Sequence, residues 1–138
     1  LKALEPSERD QLPKEIDLTQ DRHRAFLHEI YKEHSPRDLK NFDFFYEAQC
    51  VWEEAMASNL AEHFASGKGR LIAFTGNGHI VNRFGIPDRT VRRVPASMVT
   101  VMPYPLNGEE TIDRGIADYL WFTHPSPHRF SMAQGGFW

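Results

Sequence analysis

The run RLIAFTG at residues 70–76 passes directly into Asn77, Gly78 and His79, so a strand-like apolar segment ends in glycines and an imidazole. Ligands of open parallel sheets collect at the carboxyl ends of the strands. Glycine there allows a tight turn and a close approach to the main chain. An imidazole at such a place can hold a metal, act as a general base or donate to an anion. The same residues also make a plain turn whose histidine points to solvent. A phosphate-binding P-loop is excluded because no Lys-Ser/Thr follows, and a dinucleotide fingerprint because the third glycine is missing.

Charged residues flank this corner. Gly85 and Pro87 form a rigid turn that fixes Arg83 and Arg89 nearby. Guanidinium groups so placed suit carboxylates or phosphates by paired hydrogen bonds. Arg92 and Arg93 read as a solvated basic face. Glu53 and Glu54 either neutralise these arginines across the site or solvate the helix that carries them.

The elements that must position these groups follow from periodicity and punctuation. A short helix starts near Pro6 and stops before Pro13. Phe26, Leu27, Ile30 and Tyr31 recur at helical spacing, which predicts a helix from Asp21 to His34, ended by Ser35 and Pro36. A long helix is predicted over Leu39–Ala65, with Phe45, Gln49, Trp52, Met56, Leu60 and His63 on its core-facing stripe. On that stripe the polar Gln49 and His63 need partners if buried. Three apolar runs read as strands: 70–76, covered on both faces, then Ser97–Tyr104 and Ala117–Thr123. The stretch Gly76–Pro95 is long enough for a crossover containing a short helix. The expected class is α/β: helices first, then a small, mostly parallel sheet with a strand–helix–strand crossover. Residues 1–123 form the domain and 124–138 an irregular tail rich in Pro, Gly and Ser.

Composition sets the outer limits. A chain of 138 residues with 41% hydrophobic and 25% charged residues can bury one core. A net charge of −3 gives no general case for nucleic acid as a partner. Cys50 is the sole cysteine, so no intrachain disulfide is possible. No run approaches the roughly 20 apolar residues of a membrane-spanning helix. Because the sequence starts at Leu1, a removed leader or a trimmed chain is expected.

Several of these stretches together resemble a known family. EAQCVWEEAMA (residues 47–57), TGNGHI (75–80), GIPDR (85–89) and ADYLW (117–121) are similar, in this order, to the ChaN-like haem-binding uptake proteins of bacteria. These belong to a superfamily with Tiki, TraB and erythromycin-esterase-like proteins. The similarity spans about residues 3–122. The family's early glycine–histidine motif has no counterpart here. The resemblance therefore implies the C-terminal part of a larger α/β domain, whose sheet edges are covered by the missing N-terminal half or by a second copy.

The resemblance implies haem as cofactor and cargo, a non-enzymatic role in haem and iron uptake, and a lipoprotein of the periplasm or outer membrane. An outer-membrane haem receptor is a further implied partner. By residue type the iron donors are Tyr46, Tyr119, His63 and His79. Tyr46 and His79 are the first candidates at the metal. Arg83, Arg89 and His79 would meet the propionates, and Trp52, Met56 and Phe84 would wall the porphyrin. A metal-dependent hydrolase, as elsewhere in that superfamily, and a non-catalytic interaction domain are the alternatives.

Overall fold

The computed structural model describes residues 4–34, 41–67, 69–106 and 111–124. The first helix, α1 (Pro6–Arg9), is a single turn. Its proline occupies a first-turn position, where no amide hydrogen is needed, and the Glu8 carboxylate accepts the Glu5 N–H at 3.0 Å. Next come α2 (Asp21–His34) and α3 (Phe42–Ala65). Asn41 caps α3 by accepting the Asp43 N–H at 2.8 Å, which satisfies one of the free amides of the first turn. Leu27 of α2 packs with Phe45, Tyr46 and Cys50 of α3, and Phe26, Ile30, Tyr31 and Phe42 surround them. Non-directional burial of these groups holds the two helices together.

Beyond α3 the chain runs through the 70–76 segment to two short 3-10 turns, Asn77–His79 and Val81–Arg83, and then α4 (Ile86–Arg93). The strands β1 (Val101–Pro105) and β2 (Tyr119–Thr123) pair in parallel, with Val101 opposite Tyr119 and Pro103 opposite Trp121. Side chains alternate across a strand, so Val101, Pro103, Tyr119 and Trp121 share one face. Its aromatic members are open to solvent, Tyr119 at 65% and Trp121 at 68%. The class is α/β, helices followed by a small parallel sheet, as expected. The helix predicted over Asp21–His34 has those bounds. α4 falls within the stretch 76–95 where a helix was expected, but it does not cross between two strands, because no strand precedes it among the described residues.

Two expectations are corrected. The 70–76 run is not a covered strand: it pairs with no strand among the described residues, and Ile72 and Phe74 are 79% and 95% exposed. Apolar content predicts burial only where a neighbouring layer exists, and none of the described elements lies over this run. The stripe of α3 holds only in part: Phe45 and Gln49 are buried as expected, and Met56 and Leu60 are half-buried. Trp52 is 59% exposed and His63 is exposed, whereas Tyr46, Cys50, Glu53 and Glu54 are buried. The helix turns a charged face inward because α4 meets it with arginines. The expected tail falls largely outside the described residues, as do positions 39 and 40 of the predicted α3.

Candidate functional site

Glu53 is fully buried at the meeting point of α2, α3, α4 and the His79 corner. Its Oε1 lies 3.1 Å from Gln49 Nε2 and 3.2 Å from His79 Nδ1. Its Oε2 lies 3.4 Å from Arg89 Nε and 3.5 Å from His23 Nε2. Gly85 supplies the remaining wall. Its φ of +68° lies in the region that favours glycine. A Cβ there would stand 2.6 Å from Glu53 Oε1 and 2.9 Å from the His79 carbonyl oxygen.

The neighbouring Glu54 is buried as deeply and takes the other arginines. Arg89 donates to its Oε1, as does the Asp17 N–H at 3.0 Å. Arg92 bonds both carboxylate oxygens, at 2.9 and 3.0 Å, and Arg93 pairs with Oε2. Burial alone would raise the carboxyl's pKa. The Asp17 amide and the three guanidinium groups outweigh it and hold the group below its usual value. Of the two roles open to Glu53 and Glu54, neutralising the arginines is the one observed. Arg92 is exposed as expected of a solvated face, but it and the partly buried Arg93 both pair with the buried Glu54 carboxylate.

Arg89 is fully buried and also donates to Cys50 Sγ at 3.2 Å and to the Asp17 carbonyl oxygen at 3.2 Å. Desolvation opposes its charge, but Cys50, Glu54 and Glu53 raise its pKa. Burial pushes the Cys50 thiol up to about 11, which leaves it protonated and unreactive.

His79 is 7% exposed. Gln49 Nε2 also approaches its Nδ1, at 3.0 Å. Its Nε2 has no hydrogen-bond partner among the described residues. The next turn carries Asn82 and Arg83 with φ of +54° and +62°, a conformation costly for side-chain-bearing residues and found mostly where a site over-determines it. Two anchors hold it here. The Asn82 N–H donates to the Ile116 carbonyl at 2.8 Å, and Arg83 Nη1 donates to Asp118 Oδ2 at 3.0 Å. Asp118 in turn accepts the Thr100 N–H at 2.7 Å, so the corner is tied to the sheet. Asn77 Nδ2 adds a weak bond to the Pro103 carbonyl at 3.5 Å.

The sequence-predicted residues therefore fall into three groups. His79 and Arg89 converge on Glu53. Tyr46 lies in the aromatic core behind them, 1% exposed, with its hydroxyl donating to the Leu18 carbonyl at 3.4 Å and Arg24 over its ring. Burial raises the phenol's pKa. Tyr119 and Trp52 stand at the surface, on β2 and on α3, and Arg83 is half-buried in its pair with Asp118.

Sequence reasoning missed His23, which is fully buried against Tyr46 and Phe84, with ring centroids 6.0 and 5.7 Å away. A signal existed, since His23 stands four residues before Leu27 and extends the α2 stripe by one turn. Neither ring nitrogen has a hydrogen-bond partner among the described residues. Burial lowers its pKa, Glu53 opposes this, and the Arg89 guanidinium adds to it. Below about pH 6.5 the unfolded chain takes up a proton at this residue that the folded chain refuses. Stability from this group is therefore present above that pH and is lost as pH falls toward the folded-state pKa. The slope is at most about 1.4 kcal/mol per pH unit. Urea midpoints at pH 7 and 5.5 should differ more for the intact protein than for His23→Leu.

The chain is thus an α/β protein that holds one imidazole against a buried carboxylate, beside a small parallel sheet with one face open to solvent. Its family is that of the haem-binding uptake proteins (Tiki superfamily, ChaN), to which the chain belongs: the family model matches residues 1–90. No curated protein and no solved structure matches it.

Proposed function

We propose that the protein binds haem at the His79 corner and serves haem uptake at the bacterial cell envelope. The observation that carries the reading is His79 itself. One ring nitrogen is held by a buried carboxylate and the other has no partner among the described residues, the arrangement typical of imidazoles that ligate metals. The family match supports haem as the ligand.

The residues present fit such a group in part. His79 and the exposed Tyr119 offer donors for iron. Ile72, Phe74 and Trp121 offer exposed apolar surface for a porphyrin. Arg83 can meet a propionate by exchanging its bond with Asp118. Tyr46 can reach iron only if the core around it opens. Arg89 acts from beneath, through Glu53, because its guanidinium is sealed. When bound, haem supplies the iron that the uptake pathway delivers, and the protein's part is to hold it and shield it from water.

Titration of the intact protein with ferric haem should give a saturable Soret band. His79→Ala and Tyr119→Phe should change the spectrum or weaken affinity about 10-fold or more, and Tyr46→Phe should change it less. Unchanged spectra in all three variants would reject this site, and no binding by the intact protein would reject the function. A hydrolase remains the second reading, because a carboxylate-held imidazole is also what a general base requires. Ester turnover that disappears in His79→Ala without any Soret band would favour it.

A further inference from the structure

We propose that Glu53 is the positioning residue of His79, fixing its tautomer so that Nδ1 carries the hydrogen and Nε2 presents its lone pair outward; this rests on the haem reading above for its ligand but not for its chemistry. The triangle of Gln49 Nε2, Glu53 Oε1 and His79 Nδ1 has sides of 3.0, 3.1 and 3.2 Å. Two proton arrangements fill it. In one, Gln49 bridges the other two groups, so that Nδ1 is an acceptor and Nε2 carries the hydrogen. In the other, Nδ1–H and Gln49 both donate to Oε1.

Charge decides between them. The first arrangement turns the Nδ1 lone pair toward a carboxylate oxygen at 3.2 Å, an unfavourable contact with a full charge. The second sets two N–H groups 3.0 Å apart, a contact between partial charges only, and gains a charge-assisted bond about twice as strong as a neutral one. Arg89 pairs with Glu53 on the other oxygen, Oε2, at 3.4 Å, so a guanidinium stands against this buried carboxylate. Gly85, lacking a Cβ, lets the backbone close over Oε1 and keeps the carboxylate from turning away. The consequence is chemical. A fixed Nδ1–H leaves Nε2 free for a Lewis acid such as iron, and the bond to a carboxylate makes that nitrogen more electron-rich.

The test is nitrogen NMR of the apo protein with labelled histidine, read beside ferric haem titration. The intact protein should show a pyrrole-type Nδ1 and a pyridine-type Nε2 for His79. Glu53→Gln should abolish that preference and weaken haem binding by about 10- to 100-fold. Gln49→Met should keep the tautomer, because the Glu53 bond survives, and Glu53→Asp should restore it in part. A pyrrole-type Nε2 in the intact protein would overturn the proposal, even if Glu53→Gln fails to fold. So would loss of the tautomer in Gln49→Met but not in Glu53→Gln. Failure of the intact protein to bind haem, with the tautomer as expected, would sink the haem reading and leave the role of Glu53 standing.

Discussion

Arg89→Met should destabilise the protein by about 3–5 kcal/mol, the usual cost of removing one partner from a buried ion cluster. Glu54 retains Arg92 and Arg93 in that variant, but Glu53 loses its sole guanidinium partner among the described residues. Its carboxylate would then be buried beside two histidines, one of which resists protonation. Arg89→Lys should recover little, because one ammonium cannot reach Glu53, Glu54, the Cys50 sulfur and the Asp17 carbonyl together. Adding Glu53→Gln to Arg89→Met should return part of the loss, since the uncompensated charge is gone. Lys32→Met breaks an exposed pair with Glu29 and should leave the urea midpoint nearly unchanged. Urea unfolding of the four variants measures this. A loss below about 1 kcal/mol for Arg89→Met would mean the cluster does not clamp α3 to α4.

That clamp also explains how far the fold could be read from residue types. α2 was legible because Phe26, Leu27, Ile30 and Tyr31 mark a stripe and Ser35 with Pro36 end it. A short helix between Gly76 and Pro95 and the two later strands were legible from connection length and apolar runs, but the strand before that helix is not formed among the described residues. The inward face of α3 was legible only in part. Apolar periodicity registers side chains that avoid water; it found the buried Phe45 and Gln49 but also selected the exposed Trp52 and His63. Glu53 and Glu54 are buried for a different reason, namely that Arg89, Arg92 and Arg93 stand at spacings of three and four on α4 and reach the same side. Matching an acidic pair on one helix with a basic triple on another would have found it. Within the site, the His79 corner and Arg89 were legible from their types. Glu53 as the point on which they converge, and His23 behind it, needed the three-dimensional arrangement. The 70–76 run departs in the opposite sense, because hydrophobicity implies burial only where a neighbouring layer exists and no described element covers this run.

Gly85→Ala should be comparably damaging, and for reasons that join the fold to the site. Its backbone, at φ +68° and ψ −119°, is one that side-chain-bearing residues rarely adopt. Strain alone costs on the order of 1–3 kcal/mol. The added Cβ would also stand 2.6 Å from Glu53 Oε1 and 2.9 Å from the His79 carbonyl oxygen. Overpacking of this kind costs about 1–3 kcal/mol more, and no flexible side-chain end can yield, since Glu53 is held on both oxygens and the other neighbour is backbone. A combined loss of about 2–6 kcal/mol is expected. Gly69→Ala is the control. Its φ is +87°, but nothing lies within 4 Å of the added Cβ, so it carries the strain without the clash and should cost visibly less. Any Gly85→Ala protein that does fold must displace Glu53 or the His79 backbone, so its His79 nitrogen signals should move as well as its urea midpoint. Equal midpoints for the two alanine variants would show that the contact between Gly85 and Glu53 is not the constraint that shapes this corner.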